Sequence, residues 1–406
     1  MVQRPLHYAW FVAMAGSLAT FCCLGLARFA FGMLLPSMSE ALALDYGQRG
    51  LLGSSYLIGY LIMVAMIPFL APKLGQRKLI TGSLLLIALS MLGIAWTENF
   101  QTLCLLYGLT GVGSGGAFVP VMSLASQWFY PSHRGRAAGL LLSGAGLGII
   151  VSGFIVPKLV PFKGLLGWQT GWLLFAVISG ATALIAYLVI RNHPSEIGQE
   201  PYGRRPENIS DNVKMRPPHH RALLVAHLGI VYAIYGGTYM IYASFIVTSM
   251  IDSYKLSEAD AGGLWAWVGF LSMFSGALFG GLSDRLGRRM GLAVAFFVLA
   301  LAFLLVARDF GFLGLYPSIV LFGLAAWSIP TIMAAASGDY FGATGAASGL
   351  AAVTLVFAVG QSLGPIGAGF LADITGDFSA SYAAAAVAAV IAILLSLMLK
   401  APPSSS

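Results

Sequence analysis

Of 406 residues only 9% are Asp, Glu, Lys or Arg, while 58% are apolar and the mean hydropathy is +0.84. A soluble domain carries roughly 25% charged residues, so this composition excludes a water-soluble fold. The net charge of +7 does not mark a nucleic-acid partner, because the basic residues are distributed as topology signals.

Apolar stretches of about 20 residues follow one another along the chain, each long enough to cross a bilayer core of roughly 30 Å. They are continuous rather than alternating, which excludes a β-barrel and leaves helices. In chain order the spans are 8–38, 49–70, 78–97, 101–128, 135–157, 168–191, 221–251, 261–283, 289–307, 311–336, 343–372 and 380–399. The first follows Arg4 and is too long for a signal-peptide core, so it reads as a retained helix. Cys22, Cys23 and Cys104 all fall inside spans, where they read as small buried hydrophobes with no disulfide framework and no metal site.

One long polar stretch interrupts the series, Asn192 to His220, rich in Pro, Arg and Glu. Its composition predicts a mobile cytoplasmic linker. The chain therefore divides into a six-helix bundle at 1–191, the linker at 192–220, a second bundle at 221–400 and a tail at 401–406. With both termini cytoplasmic, 16 Lys and Arg lie on the inner side against 5 on the outer side, and Arg28 remains within the membrane. This bias orients a multi-pass protein of the cytoplasmic (inner) membrane.

The halves resemble each other in order. Leu74-Gly75-Gln76-Arg77 is echoed by Leu286-Gly287-Arg288-Arg289, Leu106-Tyr107-Gly108-Leu109 by Leu321-Phe322-Gly323-Leu324, and Ala137-Ala138-Gly139-Leu140 by Ala347-Ser348-Gly349-Leu350. A parallel repeat of this kind is a transporter architecture.

Between the eighth and ninth spans stands Gly280-Gly281-Leu282-Ser283-Asp284-Arg285-Leu286-Gly287-Arg288-Arg289. It resembles the inter-helix G-x-L-x-D-R-x-G-R-R/K element of the major facilitator superfamily. The resemblance covers essentially the whole chain except linker and tail. It implies an all-α integral membrane fold, with twelve transmembrane helices as two six-helix pseudo-repeats around a central cavity. It also implies conformational roles for Asp284, Arg285, Arg288 and Arg289. The first-half counterpart, Pro68 to Lys78, is degraded: Pro72 stands where the Asp should be and Lys73 replaces Arg. Any conformational lock in that half must use other groups or act more weakly. The fourth span lacks an Arg before Gly111, and the fifth lacks the Gly-Pro pair typical of drug/proton antiporters. The segment from Trp128 to Gly139 looks like the bacterial monocarboxylate and oxalate–formate branch, although spans eight and eleven carry no basic residues.

A charge inside hydrocarbon costs several kcal/mol unless it faces a cavity or a partner. Arg28, flanked by Gly25-Leu26-Ala27 and Phe29-Ala30-Phe31-Gly32, is the clear case. Its fork of donors suits a carboxylate, with a structural arginine tied to carbonyls as the other reading. No Asp or Glu lies near the middle of a span, so His227 is the candidate proton site, and a weak-acid substrate could itself bring the proton. Tyr56, Tyr60, Tyr235, Tyr239, Trp265, Trp327 and Gln361 complete the substrate-binding candidates, with packing or an interface belt as the alternative for each aromatic.

These residues point to a secondary transporter for a small organic anion, a monocarboxylate, or alternatively an exporter of neutral or drug-like solutes. Neither an enzyme's nucleophile–base set nor a P-loop motor is present, and the short loops leave no receptor output domain. The expected partners are a small-molecule substrate and the lipid bilayer, with no cofactor and a monomer as the functional unit.

Overall fold

The computed structural model describes residues 7–159, 164–203, 219–308 and 310–399, with the side chains of 131, 132, 134, 219–221 and 342–348 left aside. Eleven helices among the described residues are long and apolar enough to cross a membrane. The longest, α3 (Tyr46–Ala95), has 50 residues and is broken at Gly75, whose φ of 74° and ψ of 160° interrupt the helix. At 1.5 Å per residue an unbroken helix of that length would measure about 75 Å, more than twice a bilayer core. Large apolar side chains such as Phe69, Leu89, Leu223 and Ile374 lie exposed on these helices, a surface suited to lipid rather than water.

The chain separates into two compact units, residues 1–38 with 55–210 and residues 39–54 with 211–406. In the first, α1 (Tyr8–Thr20) passes into a π-helical stretch, Phe21–Phe29, and then into α2 (Phe31–Ala41). α4 (Phe100–Trp128), α5 (Pro131–Ile155) and α6 (Gly167–Val189) complete it. Lipid chains are as apolar as leucine, so helices associate here by close backbone approach at small residues and by hydrogen bonds. Accordingly Gly144 and Gly148 of α5 face Ser17 and Gly25, while Gly59 of α3 faces Gly108 of α4 and Gly111 faces the carbonyl of Tyr56.

The linker's composition predicted mobile chain, but residues 192–203 fold back onto this unit. The side-chain carbonyl of Asn192 accepts from the Arg77 amide at 3.0 Å, and its amide donates to Glu196 at 2.9 Å. Arg77 donates from Nε to the Tyr187 carbonyl at 2.8 Å and lies 4.3 Å over the Tyr187 ring. Further on, the Tyr202 amide donates to the Trp128 carbonyl and its carbonyl accepts from the Tyr130 amide, at 2.8 and 2.9 Å. The Tyr202 ring sits among His7, Trp10 and His133. Burial lowers the pKa of His7, which favours the neutral ring whose Nδ1 accepts from the Ala9 amide. Asn192 and Tyr202 thus anchor the two ends of this stretch to the unit, while most residues between them stay exposed. The remainder of the linker, 204–218, and the tail lie outside the described residues.

The second unit contains the start of α3, then α7 (His219–Asp252), α8 (Glu258–Leu286), α9 (Arg288–Ala307), α10 (Phe312–Ala325), α11 (Ser328–Thr375) and α12 (Ser379–Leu397). α7 and α11 meet through Gly236 and Gly237 on one side and Gly360 and Gly364 on the other. The start of α3 lies on α11 through Gly50 and Gly369. It is held there by the Arg49–Asp252 ion pair at 3.2 Å and by the Tyr46 ring edge-on to Phe378.

Candidate functional site

Arg28 is half-buried and sits at the end of the π-helical stretch, its guanidinium 5.3 Å from the Phe29 ring centroid. Tyr56, Tyr60 and Tyr107 lie within electrostatic reach of that charge. The structure thus brings together the three first-half candidates, Arg28, Tyr56 and Tyr60, and adds Tyr107. The hydroxyl of Tyr56 donates to the Cys23 carbonyl at 3.0 Å, so it is committed to the backbone of the first crossing. Tyr60 is only half-buried, one turn further along α3.

Tyr107 escaped sequence reasoning, since an aromatic within a Gly-rich span reads as packing. It is 2% exposed and stacks on Phe31 at 4.7 Å between ring centroids. Its hydroxyl donates to the Ala27 carbonyl at 3.0 Å, beside Arg28. The available signal was its repeat partner, Phe322, which stands in an aromatic cluster of the second unit.

In that unit the tyrosines of α7 form a ladder. Tyr232, Tyr235 and Tyr239 follow one another, with centroids 6.0 and 5.3 Å apart, and Tyr239 stacks on Phe322 and approaches Trp327 at 5.8 Å. Tyr242 also stacks on Phe322, at 4.0 Å, so Tyr235, Tyr239 and Tyr242 share one face of α7, filled with rings. Tyr235 donates to the Ala326 carbonyl, just before α11 begins at Ser328. Ser275 accepts from the Trp327 amide at 3.0 Å, so two side chains hold the junction of α10 and α11. Ser318 donates to the Ala302 carbonyl at 2.7 Å, which makes Tyr242 the donor in its 2.7 Å bond to Ser318.

Gln361 is 3% exposed, with its Cγ against Gly236 on α7. Trp265 is 1% exposed, and its indole N–H has no hydrogen-bond partner among the described residues. Its neighbour Trp267 is 57% exposed. Two residues along a helix differ by about 200°, so one points inward and the other to lipid. His227 lies half-buried, with Nε2 2.8 Å from the Leu395 carbonyl. A carbonyl only accepts, so Nε2 carries the proton and the bond ties α7 to α12.

At the junction of α8 and α9, Arg288 holds two carboxylates. Its Nη1 lies 2.5 Å from Asp284 and 2.7 Å from Ser283, and its Nε lies 2.6 Å from Asp339. Asp339 belongs to α11 and was not singled out in the sequence, because its partner is distant in the chain. Arg285 and Arg289 are exposed.

A family model described as "Uncharacterised MFS-type transporter YbfB" matches residues 20–397. The 4-hydroxybenzoate transporter PcaK of Pseudomonas aeruginosa is 28% identical over 203 residues, covering 48% of this chain and 44% of that protein. A quinolone resistance transporter of Acinetobacter baumannii is 25% identical, covering 87% and 85% respectively. Among solved structures, a bacterial homologue of the human lysosomal transporter Spinster has a TM-score of 0.73 at 16% identity, over 98% of this chain and 96% of that one.

Proposed function

This chain belongs to the MFS-type transporter family matched over residues 20–397, and from that premise we propose that it moves a small organic anion by alternating access. A monocarboxylate is the favoured substrate, crossing the cytoplasmic membrane through secondary active transport. The observation that carries the reading is Arg28, a guanidinium deep in the first crossing beside the tyrosines of α3 and α4. An arginine at membrane depth is costly without a functional or structural partner, and its paired donors match a carboxylate. The name of the PcaK relative, which denotes an aromatic carboxylate, supports the same class.

We also read α3 as two crossings on either side of Gly75, which gives twelve with both termini cytoplasmic, in keeping with the basic residues of the inner loops. Two six-helix bundles, 1–191 and 221–400, then act as the moving halves. A weak acid carries its own proton, so no carboxylate within a span is needed for coupling. The second reading, export of drug-like solutes, is favoured by the quinolone resistance relative.

Reconstitution in proteoliposomes tests this directly, using labelled benzoate, lactate, a neutral amino acid and a quinolone, each with and without a pH gradient. Arg28→Ala should abolish carboxylate uptake while leaving a folded protein. Arg28→Lys should weaken carboxylate binding by roughly 1–3 kcal/mol, the scale of a charged hydrogen bond. Carboxylate uptake by Arg28→Ala at the wild-type level would sink the anion assignment. Quinolone transport indifferent to carboxylates would establish the second reading.

A further inference from the structure

The first crossing changes helix type where Arg28 sits. Phe21–Phe29 is π-helical, and the Ala30 amide donates five residues back to the Gly25 carbonyl at 3.0 Å. π turns are rare, occur mostly singly and concentrate at functional positions. Here the wider register lasts nine residues between α1 and α2. Returning from an i→i−5 to an i→i−4 pattern passes over a carbonyl, and in a membrane a bypassed carbonyl needs another donor.

Two tyrosine hydroxyls act on this stretch. Tyr56 donates to the carbonyl of Cys23 and Tyr107 to the carbonyl of Ala27, each at 3.0 Å. The two carbonyls bracket Gly25, and that of Ala27 belongs to the peptide linking it to Arg28. Both tyrosines are buried, with ring centroids 5.2 Å apart. The tight crossing of α3 and α4 at Gly59, Gly108 and Gly111 sets them side by side. Across the π stretch, a Cβ on Gly25 would stand 2.6 Å from the Cα of Gly148, so the helix has no room to move toward α5.

We propose that Tyr56 and Tyr107 are positioning residues, whose hydroxyls hold the first crossing in its π-helical register and thereby aim Arg28 at the substrate's carboxylate. This rests on the reading in which Arg28 binds the anion. One residue on an α-helix is an angular step of about 100°. A lapse from π to α register would therefore swing Arg28 well away from its present direction relative to α1. Phenylalanine would fill the same space and keep the stacking on Phe31, so the hydroxyls matter for the two carbonyls they hold.

The experiment is a double-mutant cycle on the full-length protein in proteoliposomes, with labelled benzoate and lactate as probes. Tyr107→Phe and Tyr56→Phe should each raise the apparent KM by roughly 3- to 10-fold, the worth of one hydrogen bond. The maximal rate should stay close to wild type, and the unfolding temperature should fall by no more than the loss of one hydrogen bond accounts for. In an Arg28→Lys background the same substitutions should change KM by less than about twofold, because groups acting through one another are not additive. An equal fold-change in both backgrounds would make the tyrosines merely structural and overturn the proposal, as would an unchanged KM in both single variants. If Arg28→Lys alone leaves the carboxylate KM unchanged, the underlying reading of Arg28 fails instead, and the proposal with it. Should Tyr107→Phe fail to fold, Tyr56→Phe and its Arg28→Lys double variant decide the question by the same criteria.

Discussion

Gly75 and Gly287 adopt one backbone conformation, with φ 74° and ψ 160° at the first and φ 85° and ψ 156° at the second. Each occupies the same place in the matching segments Leu74-Gly75-Gln76-Arg77 and Leu286-Gly287-Arg288-Arg289. This region of φ and ψ is essentially closed to residues with a Cβ. Sequence repeat and backbone geometry thus coincide at these two glycines, where each helical path is interrupted.

The two glycines should respond differently to alanine. At Gly287 nothing lies within 4 Å of an added Cβ, so the cost is backbone strain alone, about 1–3 kcal/mol. At Gly75 the Cβ would also stand 2.7 Å from the Asn192 side-chain oxygen. Unfolding in detergent should therefore show Gly75→Ala to be the more destabilised of the two. Equal or absent shifts would show that the turns relax freely.

Asn192 packs against the break at Gly75 and accepts from the Arg77 amide. Asn192→Ala removes the acceptor of the Arg77 amide and the donor to Glu196, at a cost of about 1–2 kcal/mol. Limited proteolysis between 194 and 203 should accelerate in this variant. Cleavage at the wild-type rate would mean that the strap is held by Tyr202 and its ring neighbours instead.

Arg288 joins Asp284, at the end of α8, to Asp339 on α11. Both carboxylates are exposed, so each pair should be worth at most about 1 kcal/mol of folding stability. We expect Asp284→Asn or Asp339→Asn to slow turnover several-fold with substrate affinity unchanged, and Arg288→Gln to slow it further. Stopped-flow uptake against equilibrium binding separates the two quantities. A large loss of binding with turnover intact would contradict a conformational role.

Topology is open to a direct check. Reporters fused after Arg205 or at Ser406 should read cytoplasmic, and one near Asp252–Asp260 external. Termini on opposite sides would require an odd number of crossings and would break the assignment of α3 as two.

The existence of a series of membrane-crossing helices was legible in the sequence because apolar length and loop charge are local quantities. The count was not: twelve expected spans stand against eleven candidate crossings among the described residues, two of the spans falling within α3. Spans such as 101–128 and 289–307 differ from α4 and α9 by a residue or so at each end, whereas 49–70 and 78–97 both fall within α3 and 311–336 runs from α10 into α11. The pairing of Asp284 with a nearby Arg was legible for the same reason, since Arg288 lies one turn away. Other features depend on what a neighbouring helix presents. Trp265 and Trp267 look alike in sequence, and only packing decides that one is buried and the other faces lipid. Asp339 became part of the Arg288 site through a contact remote in the chain. The polar composition of 192–203 gave no sign that Asn192 and Tyr202 would find backbone partners. The π-helical register around Arg28 was least legible of all. An apolar run specifies a helix, but which carbonyl each amide selects is decided where Tyr56, Tyr107 and Gly148 meet it, on helices that the local sequence does not contain.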